Sequence, residues 1–503
     1  MAQPQPHESN QQASDYDLAV PLESTVGLRQ GLTSYGDAHF SLFLRKVFIK
    51  ALGYSEDALS RPIIGIVNTY SSFNPCHANI PQLIDAVKRG VQLNGGLAID
   101  FPTISLHESF SSPSSMFLRN LMSMDTEEMI RAQPVDSVIL IGGCDKTVPA
   151  QLMGALSANK PVVHLVTGPM MPGSHKGTRI GACTDCRNNW AKFRAGTIDI
   201  EEISAINEEL APTSGTCGVM GTASTMACIL AALGMMPFKG ATAPAVSSAR
   251  LRVAEETGAQ AVVLAKKQLK PQTVLSRGHY HLSTFDEIGR RTPLLVDLKP
   301  SGDNYMTDFH NAGGMLALLH TLKPLLDLSA LTVTGKTLGE ALASNKFTPL
   351  PRNSPANCIH PPSAPLFPSS SLVILRGNLG PHGAVMKASA SKDRSLLSHS
   401  GPAVVFAGSA DLAAQIDSPD LEVTKDSVLV LQGIGPVGNP GMPEAGLIPI
   451  PRKLAAQGVM DMLRISDGRM RGYRGLYMRT VNQAERGADF DFLTRSGPTA
   501  KTS

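Results

Sequence analysis

The stretch that most constrains this chain is Val135 to Ala150, VDSVILIGGCDKTVPA. The apolar run Val138-Ile139-Leu140-Ile141 has the length and β-branched content of a buried strand. Gly142 and Gly143 end it, and Cys144, Asp145 and Lys146 follow in consecutive positions. Val148 to Ser157 then reads as a helix and Pro161 to Val166 as a second buried strand. Strand, helix and strand in that order predict a βαβ unit. Open parallel sheets place their ligands at the carboxyl ends of such strands. A thiol, a carboxylate and an amine side by side on that loop are a reactive set, although a loop with a semi-buried Cys and an exposed Asp–Lys pair would fit the same residues.

The same grammar occurs twice upstream. Ala38 to Leu52 has apolar residues at helical spacing, and Pro62 to Val67 is a short buried strand. The loop NTYSSFNPCHANI then holds Cys76 between a Pro and a His, and Ile80 to Leu93 reads as a helix. At Ala98 to Glu108 a strand-like run closes on an acidic residue. Three strand ends are therefore expected to present Cys76, Glu108 and the Cys144-Asp145-Lys146 triplet.

Further on, GACTDCRNNW carries Cys183 and Cys186 at CxxC spacing. A four-thiolate zinc site needs a second such pair, which is missing, so a structural or incidental role is expected. Small residues surround Cys217, and an apolar helix follows from about Thr222. A helix N-terminus favours a thiolate through its dipole and free N–H groups. Cys228 lies inside that helix and reads as core. Met315 to Leu322 is helical and ended or kinked by Pro324, and Leu338 to Ser344 is the next ordered run. Phe347 to Ser371 holds seven prolines and several serines, the composition of an interdomain linker. Beyond it, Leu372 to Leu375, Ala403 to Phe406 and Val428 to Leu431 are short strands. GIGPVGNPGMPEAG, 433 to 446, is a glycine-rich loop carrying Glu444. It is neither a P-loop nor a GxGxxG leading into a helix, so nucleotide binding is not expected.

The chain of 503 residues is too long for one core. With 45 basic and 42 acidic residues its net charge is +3. Neither a basic stripe nor an aromatic stacking platform is present, so nucleic acid is not an expected partner. No apolar run approaches the ~20 residues of a membrane span. Seven cysteines spread over this length do not resemble a disulfide framework and suit ligands, nucleophiles or core in a reducing compartment. The polar, Gln-rich start has neither a signal core nor a basic presequence, so residues 1–22 read as a disordered tail and the location as cytoplasmic.

Three separated cysteines beside Gly, Pro or turn residues fit an iron–sulfur cluster with one iron left without a thiolate, four cysteines being the usual set. Glu108, Asp145 and Glu444 are hard oxygen donors suited to Mg²⁺. From the residues alone, scattered core cysteines and surface acids remain an open alternative.

NPCHAN, GGCDKTVPAQLMGA, the Cys217 segment, LTVTGKTLGE (331 to 340), LRGNLGPHGAV (375 to 385) and GNPGMPEAG resemble the dihydroxy-acid dehydratase and phosphogluconate dehydratase family. The likeness runs in order from about Leu28 to Gly472. GACTDCR and the RISDGRM context look most similar to its sugar-acid (aldonate) dehydratases. The resemblance implies an α/β N-terminal domain (23–346) whose parallel sheet carries the metal site, the linker 347–371, and a β-rich C-terminal domain (372–472). It implies that Cys76, Cys144 and Cys217 hold a [2Fe-2S] cluster and that Glu108, Asp145 and Glu444 bind Mg²⁺. Lys146 matches a family lysine that is carbamylated and joins the Mg²⁺ shell. The implied reaction dehydrates a 2,3-dihydroxy acid, a small-molecule substrate, to a 2-keto acid, in a homo-oligomer, dimer or tetramer.

One departure accompanies the likeness. Where the family has a serine that removes the C2 proton, in GRxSG, this chain has Arg471 in Gly468-Arg469-Met470-Arg471-Gly472. A permanently charged guanidinium is not a base at neutral pH, and 473–503 departs from the family's apolar continuation. Two functions therefore stand: an iron–sulfur and Mg²⁺-dependent hydro-lyase, or a catalytically impaired paralogue that binds metal or ligand without turnover.

Overall fold

The computed structural model describes residues 26–32, 36–111, 115–182, 184–275, 282–347, 350–351, 354, 357–369, 371–391, 393–435 and 447–468, and the backbone of 476–478. The N-terminal tail, Cys183, Glu444 and Arg471 lie outside the described residues.

The first half alternates strand and helix. After α1 (Ala38–Lys50) and the one-turn α2 (Glu56–Leu59) come β1 (Ile63–Asn68), α3 (Ile80–Leu93), β2 (Leu97–Pro102), α4 (Ser115–Ala132), β3 (Ser137–Gly142), α5 (Thr147–Ala158) and β4 (Val162–Val166). The strands pair in parallel in the order β2-β1-β3-β4. Right-handed crossovers put α3 on one face and α4 and α5 on the other, because the chain leaves β1 in one direction and returns past it to β3. The reversal lies between β1 and β3, which makes the crevice at their carboxyl ends the switch point of the sheet.

Why α3 is a helix can be read from its buried residues. Ile80, Leu83, Ile84, Val87 and Val91 recur at helical spacing and face inward. Burial of each contributes on the order of 1.5–3 kcal/mol. Beyond β4 come the hairpin β5 (Gly173–His175) and β6 (Thr178–Ile180), then α6 (Thr184–Arg194), α7 (Ile200–Glu209), α8 (Thr222–Ala232) and the 20-residue α9 (Ser248–Lys267). Helices α3 and α9 meet backbone to backbone. A Cβ on Gly90 would stand 2.0 Å from Glu255 O, and one on Gly258 would stand 2.4 Å from Val87 O. Among the described residues no helix is long and apolar enough to cross a membrane.

The Pro/Ser-rich segment is tied down where it is described. Leu294 bridges Phe367 and Val296 bridges Ile359, and Asp297 N donates to Cys358 O at 2.8 Å. Prolines remove the N–H groups a continuous strand would need, so the pairing stays in isolated steps.

The second half forms a mixed sheet from β7 (Leu372–Leu375), β8 (Ala384–Lys387), β9 (Ala403–Phe406), β10 (Val428–Leu431), β11 (Arg464–Ser466) and β12 (Leu476–Met478), ordered β7-β8-β12-β11-β10-β9. The strands expected at 372–375, 403–406 and 428–431 are all present. Strand β12 lies beyond Gly472, where a divergent tail was expected, and it joins β11 in parallel and β8 antiparallel. Phe406, Leu429, Leu431, Ile434 and Ile448 form the core of this half. Arg194 of α6 reaches across to Asp417 at 2.7 Å.

Candidate functional site

The loop after β1 carries Cys76 on a tight turn, Pro75–His77. The loop after β3 carries Cys144, Asp145 and Lys146, as expected. The run from Ala98 behaves differently: β2 stops at Pro102, and Glu108 opens a separate turn, Glu108–Phe110. Glu108 is therefore not at a strand end. It reaches the site because Asn74 Nδ2 binds Leu106 O at 2.9 Å and Ser105 Oγ at 3.3 Å, fastening its loop to that of Cys76.

Helix α8 starts at Thr222, as expected, after an N-cap at Gly221, and Cys217 precedes it in the chain. The Cys217 segment is tied to the site by backbone. Gly215 N donates to Pro75 O at 3.1 Å, and Thr216 Cγ2 is 3.0 Å from where a Cβ on Gly143 would be.

The carboxylates and the lysine converge. Lys146 Nζ lies 2.8 Å from Glu108 Oε2 and 2.8 Å from Asp145 Oδ2, with all three side chains largely buried. Ser115 Oγ also donates to Glu108 Oε2. Two buried carboxylates aimed at one point need positive charge there. The amine supplies it, and oxygen donors in this arrangement suit Mg²⁺.

Cys76 and Cys144 are buried beside each other. The hydrogen-bonded Cys144, then burial, push the Cys76 thiol well up, while His107 pulls it down. Neighbouring buried thiols of this kind ionise when a metal ion supplies the compensating charge, so the pair fits an iron-bound state. Cys144 Sγ donates to Asn74 Oδ1 at 3.4 Å. The backbone that presents Cys144 is gripped: a Cβ on Gly143 would stand 1.9 Å from Thr167 Oγ1. Among the described residues no group of three or more His, Cys, Asp or Glu side chains is close enough to hold a metal ion.

Cys228 and Cys358 stand apart from this site. Burial pushes the thiol of each up to about 12, Asp308 adding to the effect at Cys358. Cys186 packs partly buried against Ile180, Ile206 and Leu210. Glu444 and Arg471 fall outside the described residues, but the segments that lead to them leave from one junction. Asp467 accepts from Gly433 N at 2.8 Å and Ile434 N at 3.1 Å.

Sequence reasoning missed Asn74 and His77. Asn74 touches the loops of Glu108 and Cys144 from its own. The imidazole of His77 is fully buried, which pulls its pKa down, and bonds to the loop of Cys144. Their signal was the run of polar residues, NPCHAN, bracketing a Cys just after a buried strand.

The dihydroxy-acid/6-phosphogluconate dehydratase N-terminal profile matches residues 61–280 and 277–341. The C-terminal profile of the same family matches 357–481. The chain is 39% identical over 465 residues to an L-arabonate dehydratase of Azospirillum brasilense, covering 86% of this chain and 79% of that one. It is 38% identical over 448 residues to a 6-deoxy-6-sulfo-D-gluconate dehydratase of Pseudomonas putida, covering 83% and 77%. A dihydroxy-acid dehydratase of Methanothrix thermoacetophila is 33% identical over 471 residues, covering 85% and 82%. With both domain profiles matched in order, the first across the βαβ units that hold Cys76, Cys144 and Lys146, this chain belongs to the dihydroxy-acid/6-phosphogluconate dehydratase family.

Proposed function

We propose that this protein is an iron–sulfur and Mg²⁺-dependent hydro-lyase that dehydrates a 2,3-dihydroxy acid, of the sugar-acid class, to a 2-keto acid. The observation that carries this reading is Lys146 Nζ, 2.8 Å from both Glu108 Oε2 and Asp145 Oδ2, on the loop that also bears Cys144. Relatives named for sugar-acid substrates support the substrate class. Glu108, Asp145 and Glu444, with Lys146, would hold Mg²⁺; Cys76, Cys144 and Cys217 would hold a [2Fe-2S] cluster. When bound, these groups supply Lewis acidity at the substrate carboxylate and the departing 3-hydroxyl. The reaction breaks C2–H and C3–OH, releases water, and leaves an enol that becomes the keto acid. The chain's own part is to orient the acid in the β1/β3 crevice and to keep water away. A reducing, cytoplasmic setting is part of this reading, because seven cysteines spread over the chain do not resemble a disulfide framework. A homo-oligomer, with neither nucleic acid nor membrane as partner, completes the reading.

A second reading rests on Arg471 in place of a serine base: an impaired paralogue that binds metal or ligand without turnover. General-base assistance is worth roughly 10²–10⁴-fold, so loss of the base would leave turnover weak. Anaerobically purified protein with Mg²⁺, assayed for keto acid across aldonic acids and dihydroxyisovalerate, is expected to turn over an aldonic acid. Metal uptake without product from any of them would favour the impaired paralogue, and no uptake of iron would overturn the iron–sulfur hydro-lyase. Lys146→Arg keeps the charge and cannot form a carbamate. Its thermal melt is expected to lose the Mg²⁺ response of wild type, and an equal response would remove Lys146 from the Mg²⁺ shell.

A further inference from the structure

The ring of His77 lies between the loops of Cys76 and Cys144, and its four contacts decide where its proton is. Nδ1 lies 2.9 Å from Thr69 O and 3.1 Å from Thr69 Oγ1. The Thr69 hydroxyl gives its own hydrogen to Ile141 O at 2.8 Å. Both neighbours of Nδ1 are therefore acceptors, so Nδ1 carries the hydrogen. On the other side, Nε2 faces two donors, Gly143 N at 2.9 Å and Cys144 N at 3.3 Å. It can only accept. A second proton on the ring would set N–H against N–H.

We infer that His77 is a positioning residue for Cys144: its Nδ1–H tautomer accepts the Gly143 and Cys144 N–H groups and so fixes where the Cys144 sulfur stands. The inference rests on the cluster reading proposed above. A buried histidine next to Cys76 would be the natural suspect for a fourth cluster ligand. Here both ring nitrogens are committed, Nδ1 to Thr69 and Nε2 to the Gly143 and Cys144 N–H groups, so His77 would not be one of the ligands. The grip is two-sided, because Thr167 Oγ1 closes on Gly143 from another direction.

Two amide substitutions separate the bonds. In His77→Gln the side-chain oxygen can reach the place of Nε2, keeping the acceptor for the Cys144 loop. In His77→Asn the amide reaches only the place of Nδ1, keeping the Thr69 bond and losing that acceptor. After anaerobic reconstitution, iron and sulfide per chain, the visible circular dichroism of the cluster, and iron retention against a chelator are measured. Partners that orient metal ligands are worth about 10- to 100-fold in metal affinity. Iron retention in His77→Asn is therefore expected to fall by about that factor, with an altered spectrum, while His77→Gln stays near wild type. Asn retaining iron as well as Gln, Gln losing it while Asn keeps it, or both losing it with wild-type melts of the metal-free proteins would each overturn the inference. If His77→Asn does not fold, His77→Gln decides alone: a folded variant without the wild-type cluster signal overturns it. Wild type that takes up no iron would instead sink the cluster reading, and this inference with it.

Discussion

Every residue of β3 and β4 in the N-terminal sheet is buried, whereas β7 and β9 of the C-terminal sheet each bury one residue of four. The first sheet is parallel and covered by helices on both faces, so its strands are apolar throughout. The second is mixed, and much of each outer strand meets solvent. The difference bears on the site. Cys76 follows β1, buried but for its last residue, and Cys144, Asp145 and Lys146 follow the fully buried β3, where packing leaves little freedom for the backbone to shift. The residues assigned to the C-terminal half, Glu444 and Arg471, follow strands of the less buried sheet.

The largest expected effect tests this contrast directly. Ile139→Ala in β3 removes a fully buried side chain and should cost about 2–5 kcal/mol. Val405→Ala in β9, where Val405 is 49% exposed, should change stability by no more than about 0.5 kcal/mol. Urea unfolding of the two variants checks it, and equal costs would break the comparison.

A pH effect sharpens it. His164 of β4 is fully buried and pushed down by burial to about 3. The unfolded imidazole titrates near 6.5, so its depressed folded value gives stability that is present above that pH and lost as pH falls toward 3. The slope in that window is about 1.4 kcal/mol per pH unit, or about 2 kcal/mol between pH 6.5 and 5. Denaturation at the two pH values should show this difference in wild type. His164→Leu should lose that share of it, and an unchanged slope in the variant would remove His164 as the cause.

The smallest effect is expected where the halves meet. Arg194 and Asp417 form a partly exposed pair at 2.7 Å. Such pairs are worth about 0–1 kcal/mol. Arg194→Ala should therefore shift the melt only slightly, and a large loss would show that the halves depend on each other more than their separate cores suggest.

Much of the local structure was legible in the sequence. Val138 to Ile141 and Ile80 to Leu93 announced strand and helix by apolar run and spacing, and α3 has the expected limits. Helix α9 was not foreseen, because charged and small residues alternate with its apolar ones. Its role depends on Gly90 and Gly258, whose close approach is a property of two helices together. Glu108 was placed at a strand end because FPTISLHE looks continuous, but β2 stops at Pro102 and irregular chain follows. Asn74 and His77 were passed over because a polar residue near a cysteine shows its partner only when the loops meet.

The sequence by itself determined that buried strands alternate with helices, that cysteines and carboxylates sit on the connecting loops, and which family these motifs resemble. Those properties are local: they follow from which side chains can be buried and at what spacing. Strand order was decided only by the tertiary structure. Placing β1 beside β3 brings the Cys76 loop, 68 positions from Cys144 along the chain, against it at the switch point of the sheet. The tautomer of His77 was decided there too, since it depends on donors and acceptors from Thr69 and Gly143 that become neighbours only when the sheet closes.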